Sequence, residues 1–290
     1  MKIRIEEKSG FCFGVKRAID LAEDALDRGE SVFCLGQIVH NENEIKRLMQ
    51  KGLIFIDHSQ LSDLKDKTIL IRAHGEPPAT YEIAKKNRLK VIDGTCPIVL
   101  SLQKKIRERY ENMDVLNEQI IIYGKEGHPE VIGLKGQAGD HPQVVRTKDD
   151  LKKLSLKRNV YLFSQTTMDT AGFMDIASEL KSDESVISGM KSEINNTICN
   201  HISHREPGLR KFARANDVII FVAGLKSSNG RILFEICKSE NSETYFISEK
   251  EELNPYWFRG CTEVGICGAT STPEWQLKEI AEIIRSFTEN

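Results

Sequence analysis

The chain has 290 residues, 40% of them hydrophobic and 29% charged, with a formal net charge of −2. This composition is typical of a globular protein, and the charge balance gives no positive field that would favour nucleic acid or an anionic membrane as partner. The apolar run at 218–225 is too short to span a bilayer. The opening MKIRIEEKSG is charged at once, so we expect no secretory signal and a cytoplasmic location.

Three segments of similar pattern follow one another along the chain. Each opens with a cysteine and a helical pattern: CFGVKRAIDLAEDAL from Cys12, CPIVLSLQKKIRERY from Cys96 and CNHISHREPGLRKFARAND from Cys199. A strand, a glycine turn and a polar loop then lead into a second helix, as in SVFCLGQIVHNENEIKRL, QIIIYGKEGHPEVIGL and DVIIFVAGLKSSNGRILFEI. This recurrence predicts three repeated α/β modules.

Each module continues with another strand, loop and helix: TILIRAHGEPPATYEIAKK, VYLFSQTTMDTAGFMDIASEL and EVGICGATSTPEWQLKEIAEII. A last strand leads into the next cysteine, as in LKVIDGTC and SEINNTIC, and the N-terminal KIRIEEKSGFC completes the third module. Strands that alternate with helices predict parallel sheets, whose ligands gather at the strand C-termini. We expect domains at 1–96, 97–198 and 199–290.

The seven cysteines are spread without close pairing, which in the cytoplasm indicates thiols or metal ligands rather than disulfides. Cys34 and Cys237, which lie in apolar runs, are predicted to be small buried hydrophobes, and the same is expected of Cys261 and Cys267. Cys12, Cys96 and Cys199 recur at equivalent places, which favours a shared metal centre. Zinc and an iron–sulfur cluster that lacks one cysteine ligand both remain open at this point.

The polar loops after the strands are rich in hydroxyl, amide and imidazole groups: AHG, GHPE, SQTT, SSNG and ATSTPE. Such groups at helix N-termini bind phosphate without a P-loop lysine. His40, His74 and His128 each follow a strand in such a loop. Neither GxGxxG nor GxxxxGK[ST] occurs, so a bound dinucleotide or ATP is not indicated.

A set of motifs runs in order from residue 9 to residue 275: SGFCFGVKRAI, LGQIVHNE, AHG, GTCP, GHPEV, SQTT, NTIC, SSN and STPEW. In these motifs the chain resembles the LytB/IspH family of 4-hydroxy-3-methylbut-2-enyl diphosphate reductases. The resemblance implies an α/β fold with three pseudo-threefold-related domains, arranged as a trefoil around an iron–sulfur cluster. It also implies the last reaction of the methylerythritol phosphate isoprenoid route, with electrons from ferredoxin or flavodoxin.

The resemblance also implies roles for individual residues. Cys12, Cys96 and Cys199 would hold one [4Fe-4S] cluster with an open fourth iron. Glu130 would supply a proton, and Thr166 would contact the substrate hydroxyl and relay that proton. The diphosphate would be bound by the side chains of His40, His74, His128, Ser227, Ser228, Asn229 and Ser271.

Three stretches depart from the family pattern. NHISHRE stands where NATQNRQ is expected, which introduces His201 and His204; Gly230 replaces a serine after SSN; and ATSTPEW replaces GASTPEW. We expect His201 to lie at the surface or beside the ligands rather than to bind iron, because the chemistry needs an open site. The alternative functions are an iron–sulfur sensor and a zinc hydrolase; a sensor would not need the proton relay of Glu130 and Thr166.

Overall fold

The computed structural model describes residues 1–186 and 189–287; within them, the side chains at 184–186, 202–203 and 228 are not described. Strands and helices alternate along the chain. The strands are β1 Lys2–Ile5, β2 Val32–Leu35, β3 Ile54–Ile56, β4 Thr68–Ile71, β5 Lys90–Asp93, β6 Glu118–Tyr123, β7 Gln143–Val145, β8 Asn159–Ser164, β9 Lys191–Ile194, β10 Val218–Val222, β11 Thr244–Ile247 and β12 Glu263–Gly268.

The helices follow the strands as the sequence predicts. They are α1 Phe13–Asp27, α2 Glu42–Gln50, α3 His58–Leu61, α4 Pro78–Lys86, α5 Pro97–Glu111, α6 Pro129–Gly136, α7 Lys148–Lys152, α8 Thr170–Val186, α9 Asn200–Ser203, α10 Glu206–Arg214, α11 Ser228–Glu240 and α12 Glu274–Ser286. Two short 3₁₀ helices span Lys250–Glu252 and Pro255–Phe258. None of the helices in the described ranges is long and apolar enough to cross a membrane.

The strands of the described residues form three parallel sheets of four strands each, which confirms the predicted α/β class. Contacts divide the chain into two compact units, one made of 1–57 with 204–290 and the other of 58–203. The three-domain boundaries expected from the sequence stay a prediction.

The unit made of 1–57 and 204–290 contains a sheet in the order β1-β12-β10-β11 and the parallel pair β2–β3. Strand β1 pairs with β12 from Lys2 opposite Glu263 to Ile5 opposite Ile266. The central strand β10 is buried along its whole length, because helices cover both faces of a parallel sheet. The N-terminal strand therefore leads directly into the loop that carries Cys12.

The unit made of 58–203 contains a sheet in the order β7-β6-β8-β9 and the parallel pair β4–β5. Its core packs Ile121 and Leu162 of the sheet against Phe173 and Leu180 of α8, all of them fully buried. Read from one edge, the first sheet runs β11-β10-β12-β1 and the second β7-β6-β8-β9, so the N-terminal strand β1 takes the place that β9 has in the second sheet. The loops after corresponding strands can therefore be compared position by position.

Two features of the fold differ from the sequence expectation. Strands β3, β7 and β11, of three or four residues each, were not expected from the sequence. The segment after Cys199 reads as one helix but forms two, α9 and α10. Pro207 lies in the first turn of α10, where its missing N–H is tolerated, and it could not continue a preceding helix.

Candidate functional site

The three repeated cysteines lie at the starts of helices. Cys12 and Cys96 are the N-cap residues of α1 and α5, and Cys199 directly precedes α9. All three are half-buried, whereas Cys34, Cys237 and Cys267 are completely buried. Within the described residues, none of the seven cysteines forms a disulfide.

The prediction that the remaining cysteines are buried hydrophobes holds for Cys34, Cys237 and Cys267. It is wrong for Cys261, which is half-buried and whose thiol donates to the carbonyl of Trp257 at 3.5 Å. Cys261 packs against the edge of the core after the 3₁₀ helix Pro255–Phe258, and its neighbours in the sequence are Gly260 and Thr262, so it is only partly enclosed.

The backbone of each repeated cysteine is held by a loop that follows a strand. In every case the N–H donates to the carbonyl of the second residue after the strand end: Cys12 to Thr270 at 3.3 Å after β12, Cys96 to Ala73 at 3.0 Å after β4, and Cys199 to Thr166 at 2.9 Å after β8. The same bond recurs because the repeated modules turn from strand to loop in the same way. This bond fixes where each helix begins.

Glu130 and Thr166 form a buried pair in the unit made of 58–203. Glu130 is 1% exposed and Thr166 is 5% exposed. One carboxylate oxygen, Oε1, accepts from the Thr166 N–H at 2.7 Å, and Oε2 accepts from the Thr166 hydroxyl at 2.8 Å. Burial raises the pKa of the Glu130 carboxyl to about 7, although the two hydrogen bonds from Thr166 lower it. The carboxyl can therefore gain and lose a proton near neutral pH.

His128 is the N-cap of α6, and its position controls its tautomer. Its Nδ1 accepts a hydrogen bond from the Glu130 N–H at 3.2 Å, so in the neutral ring the proton lies on Nε2. The ring of His74 meets that of His128 edge to face, with centroids 5.3 Å apart. The loop after β4 and the start of α6, which follows β6, thus bring two imidazoles together.

Buried amides hold these loops in place. The Gln103 side chain on α5 and the Gln137 side chain at the end of α6 both donate to the Glu76 carbonyl at 3.4 Å. Arg107 donates to the Gln137 side chain at 2.7 Å. Because Glu76 lies two residues after His74, these bonds fix the His74 loop against both helices.

The SSN and STPEW motifs meet in the unit made of 1–57 and 204–290. Ser227 caps α11 by accepting from the Gly230 N–H at 3.0 Å, and its hydroxyl lies 3.1 Å from that of Ser271. The Asn229 carbonyl oxygen Oδ1 accepts from the Thr270 hydroxyl at 3.1 Å. Among the described residues, Asn229 Nδ2 has no hydrogen-bond partner, although the side chain is only 7% exposed. A buried N–H₂ group without a partner is suited to an anion.

The departure at Gly230 has a steric reason. A side-chain Cβ at this position would lie 2.8 Å from the Cβ of Ala223 and 3.0 Å from the Ser227 hydroxyl oxygen. The start of α11 therefore lies close against the end of β10, and a serine would have to push it away. The side chain of Ser228, another predicted diphosphate ligand, lies outside what the structure describes.

His40 lies directly before Asn41, the N-cap of α2, and is half-buried. A Cβ built on Gly224, two residues after β10, would be 2.3 Å from the His40 carbonyl oxygen, so the two loops touch through backbone. His201 and His204 are both exposed, in agreement with a surface position for the two extra histidines.

Arg205 is a positioning residue that the sequence analysis did not identify. It is 2% exposed and donates to the Glu6 carboxylate at 3.0 Å, the Ser9 hydroxyl at 2.9 Å and the Gly268 carbonyl at 2.6 Å. These bonds fix the turn that precedes Cys12 to the end of β12. An arginine in a polar stretch such as NHISHRE gives no sign of burial, because most arginines are exposed.

Comparison with known proteins identifies the relatives of this chain. The family model described as LytB protein matches residues 3–285. A 4-hydroxy-3-methylbut-2-enyl diphosphate reductase of Bacteroides fragilis is 45% identical over 286 residues, which cover 99% of this chain and 98% of that protein. The protein of the same name from Chloroherpeton thalassium is 42% identical and covers 99% of this chain and 97% of its own length.

Two solved structures share the fold. An (E)-4-hydroxy-3-methyl-but-2-enyl diphosphate reductase, described as the terminal enzyme of the non-mevalonate pathway, is 35% identical with a TM-score of 0.74 and covers 99% of both chains. The E-1-hydroxy-2-methyl-but-2-enyl-4-diphosphate reductase of Plasmodium falciparum is 27% identical with a TM-score of 0.83, over 97% of this chain and 87% of its own. The resemblance inferred from the motifs is confirmed.

Proposed function

Because this chain belongs to the LytB family, we propose that it reduces (E)-4-hydroxy-3-methylbut-2-enyl diphosphate to isopentenyl and dimethylallyl diphosphates, the last step of the methylerythritol phosphate route. The reaction consumes two electrons and two protons and releases water. The observation that carries the proposal is the buried pair of Glu130 and Thr166, joined by backbone to Cys199. A proton source beside a metal-binding thiol is what reductive removal of a hydroxyl requires.

Family membership implies an iron–sulfur cofactor, and we assign its ligands to Cys12, Cys96 and Cys199 as one [4Fe-4S] cluster with an open fourth iron. The residues present fit this group: all three thiols are half-buried, two of them as helix N-caps and Cys199 directly before a helix. Thiolates are the usual ligands of such clusters. When bound, the cluster supplies electrons and a Lewis-acidic iron for the substrate hydroxyl.

The diphosphate is assigned to His40, His74, His128, Ser227, Ser228, Asn229 and Ser271. Two contacts support this assignment. The Nδ1 of His128 accepts from the Glu130 N–H, so the neutral ring carries its proton on Nε2 and that atom has donor character. Asn229 offers a buried N–H₂ group that no described residue engages. Donors held in this way bind phosphate oxygens through charge-assisted hydrogen bonds.

Glu130 and Thr166 deliver the proton to the leaving hydroxyl. Glu130 Oε2 lies 2.8 Å from the Thr166 hydroxyl oxygen; when the carboxyl is protonated at Oε2, the hydroxyl accepts that proton and passes its own hydrogen to the substrate oxygen. The pKa of about 7 keeps a substantial fraction of Glu130 protonated at neutral pH. The Thr166 N–H stays on Oε1 throughout and fixes the carboxyl plane.

We also assign the electron supply to a small carrier, ferredoxin or flavodoxin, and the location to the cytoplasm. Neither nucleic acid nor a membrane is part of the proposed reaction. The carrier would deliver electrons one at a time, which matches a cluster that cycles between adjacent oxidation states.

The experiment is anaerobic purification followed by iron, sulfide and zinc analysis and a turnover assay with a strong artificial reductant. We expect iron and sulfide with conversion of the substrate to both products. The matched control is Glu126→Gln, which changes a carboxyl of the same loop whose side chain is 67% exposed, and should leave turnover intact. Zinc without sulfide would favour a hydrolase, and a cluster without turnover would favour a sensor.

A further inference from the structure

Thr270 occupies the same place in its module as Thr166 does in another. Thr166 is the second residue after β8 and accepts from the Cys199 N–H at 2.9 Å. Thr270 is the second residue after β12 and accepts from the Cys12 N–H at 3.3 Å. Both threonines therefore connect a strand end to the start of a helix that begins with a repeated cysteine.

The hydroxyl groups of the two threonines also have matching partners. Thr166 donates to Glu130, the second residue of α6, at 2.8 Å. Thr270 donates to Asn229, the second residue of α11, at 3.1 Å. Glu130 and Asn229 are both buried. Thr166 and Thr270 thus correspond both in the backbone bond to a cysteine and in the hydroxyl bond to the second residue of a helix.

The contacts of Thr270 determine which end of the Asn229 amide has no hydrogen-bond partner among the described residues. Oδ1 receives the Thr270 hydroxyl at 3.1 Å and the Thr270 N–H at 3.4 Å. The two ends of an amide have nearly the same size, so hydrogen bonds alone decide which way the group is turned. With both Thr270 donors on the oxygen, Nδ2 must lie on the opposite side, where no described residue accepts from it.

We propose that Thr270 is a positioning residue that holds the N–H₂ group of Asn229 towards a phosphate oxygen of the substrate. This inference rests on the proposed function, because it takes the diphosphate to be bound by Asn229. The usual family motif GASTPEW has alanine where this chain has Thr270, so only the N–H at 270 would orient the amide in that pattern. In this chain the Thr270 hydroxyl adds a second hydrogen bond that holds the Asn229 amide in this orientation.

The test measures binding of inorganic diphosphate to the anaerobic holoenzyme by calorimetry. Thr270→Val keeps the branched shape but removes the hydroxyl, and should raise Kd about three- to tenfold, the size expected for one neutral hydrogen bond. Thr270→Ser keeps the hydroxyl and should bind close to the wild-type level. In turnover assays the valine variant should raise KM with kcat unchanged, which a general structural defect would not do.

Asn229→Ala completes a double-mutant cycle. If Thr270 acts through Asn229, adding Thr270→Val to Asn229→Ala should weaken diphosphate binding no further. An equal loss in both backgrounds, or wild-type binding by Thr270→Val, would overturn the role of Thr270 while leaving the diphosphate pocket intact. Wild-type binding by Asn229→Ala would instead exclude Asn229 from the diphosphate pocket and so overturn the inference.

The iron content of each variant is the control, because Thr270 also holds the Cys12 backbone. If the valine variant loses iron, Thr270→Ala takes its place in the cycle, since alanine is the residue that the family motif carries there. The same fold-changes then decide for or against the proposal.

Discussion

The loops after β8 and β12 have the same backbone arrangement, but the threonine of each loop bonds to a side chain of different charge. After β8, Thr166 gives both of its donors to the Glu130 carboxylate, and each carboxylate oxygen receives one hydrogen bond. After β12, Thr270 gives both of its donors to one oxygen of Asn229, and the amide nitrogen donates to none of the described residues. In the first loop both carboxylate oxygens of Glu130 have a hydrogen-bond donor within the protein. In the second loop the N–H₂ group of Asn229 is left to donate to a ligand.

The difference suits the two loops to two different tasks. In both loops the threonine fixes a side chain at the second position of the following helix. A carboxyl at that position is desolvated, and its pKa rises to about 7, which suits proton transfer. An amide at that position stays neutral at every pH and suits binding of a charged group.

The largest expected effect comes from the cysteines that both loops hold. Cys199→Ser should abolish cluster retention and activity, because a serine oxygen is a poor substitute for thiolate in an iron–sulfur site. Anaerobic absorption spectra with iron and sulfide analysis measure this. The matched change is Cys237→Ala at a completely buried cysteine, which should perturb packing but retain iron. A full cluster and normal turnover in Cys199→Ser would contradict the ligand assignment.

Glu130→Gln tests the proton-carrying loop. Glutamine keeps the shape and can keep both contacts to Thr166, but it has no carboxyl proton, so turnover should fall by roughly 10²–10⁴-fold. Binding of inorganic diphosphate and iron content should be unchanged. In the wild type, kcat/KM should decrease as the pH rises through about 7, since the protonated carboxyl is the active form.

Steady-state rates with an artificial reductant across pH 6–9 check this prediction. Glu126→Gln, in the same loop, should follow the wild-type profile. A Glu130→Gln variant that runs within a few-fold of the wild type, or that retains the decline near pH 7, would place the proton source elsewhere.

The raised pKa of Glu130 also predicts an effect on stability. The folded protein holds this proton up to about pH 7, while the unfolded chain loses it near 4.5, so stability falls as the pH rises through that window. The loss is on the order of 3 kcal/mol by pH 7. Glu130→Gln should therefore gain stability relative to the wild type between pH 5 and pH 8, as measured by anaerobic urea unfolding. If the difference in unfolding free energy between Glu130→Gln and the wild type were the same at pH 5 and pH 8, the ionisation of Glu130 would not be linked to stability.

The smallest expected effect is on the anion-binding loop. Asn229→Ala removes a hydrogen bond to a charged group, which is worth on the order of 1.5–3 kcal/mol, or about 10–150-fold in Kd for diphosphate. His74→Ala should also weaken diphosphate binding, and both variants should keep the cluster. Calorimetry with inorganic diphosphate measures the change. Affinity unaltered in both variants would place the pocket elsewhere.

The repeat in the sequence predicted the alternation of strands and helices, except for β3, β7 and β11, and the equivalent places of Cys12, Cys96 and Cys199. The joint role of Glu130 and Thr166 was implied only by the resemblance to the LytB family, and the structure shows that the two side chains are in contact. The sequence did not predict the burial of Arg205, which depends on three partners that are distant in the chain. The role of Thr270 was visible only as a departure in ATSTPEW. Counting two residues from the end of β12, as for Thr166 after β8, would have found it.

The pairing of β1 with β12 has a consequence for the order in which the protein matures. Ser9 and its partner Gly268 are separated by 259 positions, and Cys12 receives its backbone partner from Thr270. A ribosome makes the turn before Cys12 early, but the strand and loop that hold it emerge much later. The first of the three cysteines to be synthesised is therefore anchored late. Loading of iron and sulfide should accordingly follow synthesis of β12 rather than accompany the early part of translation.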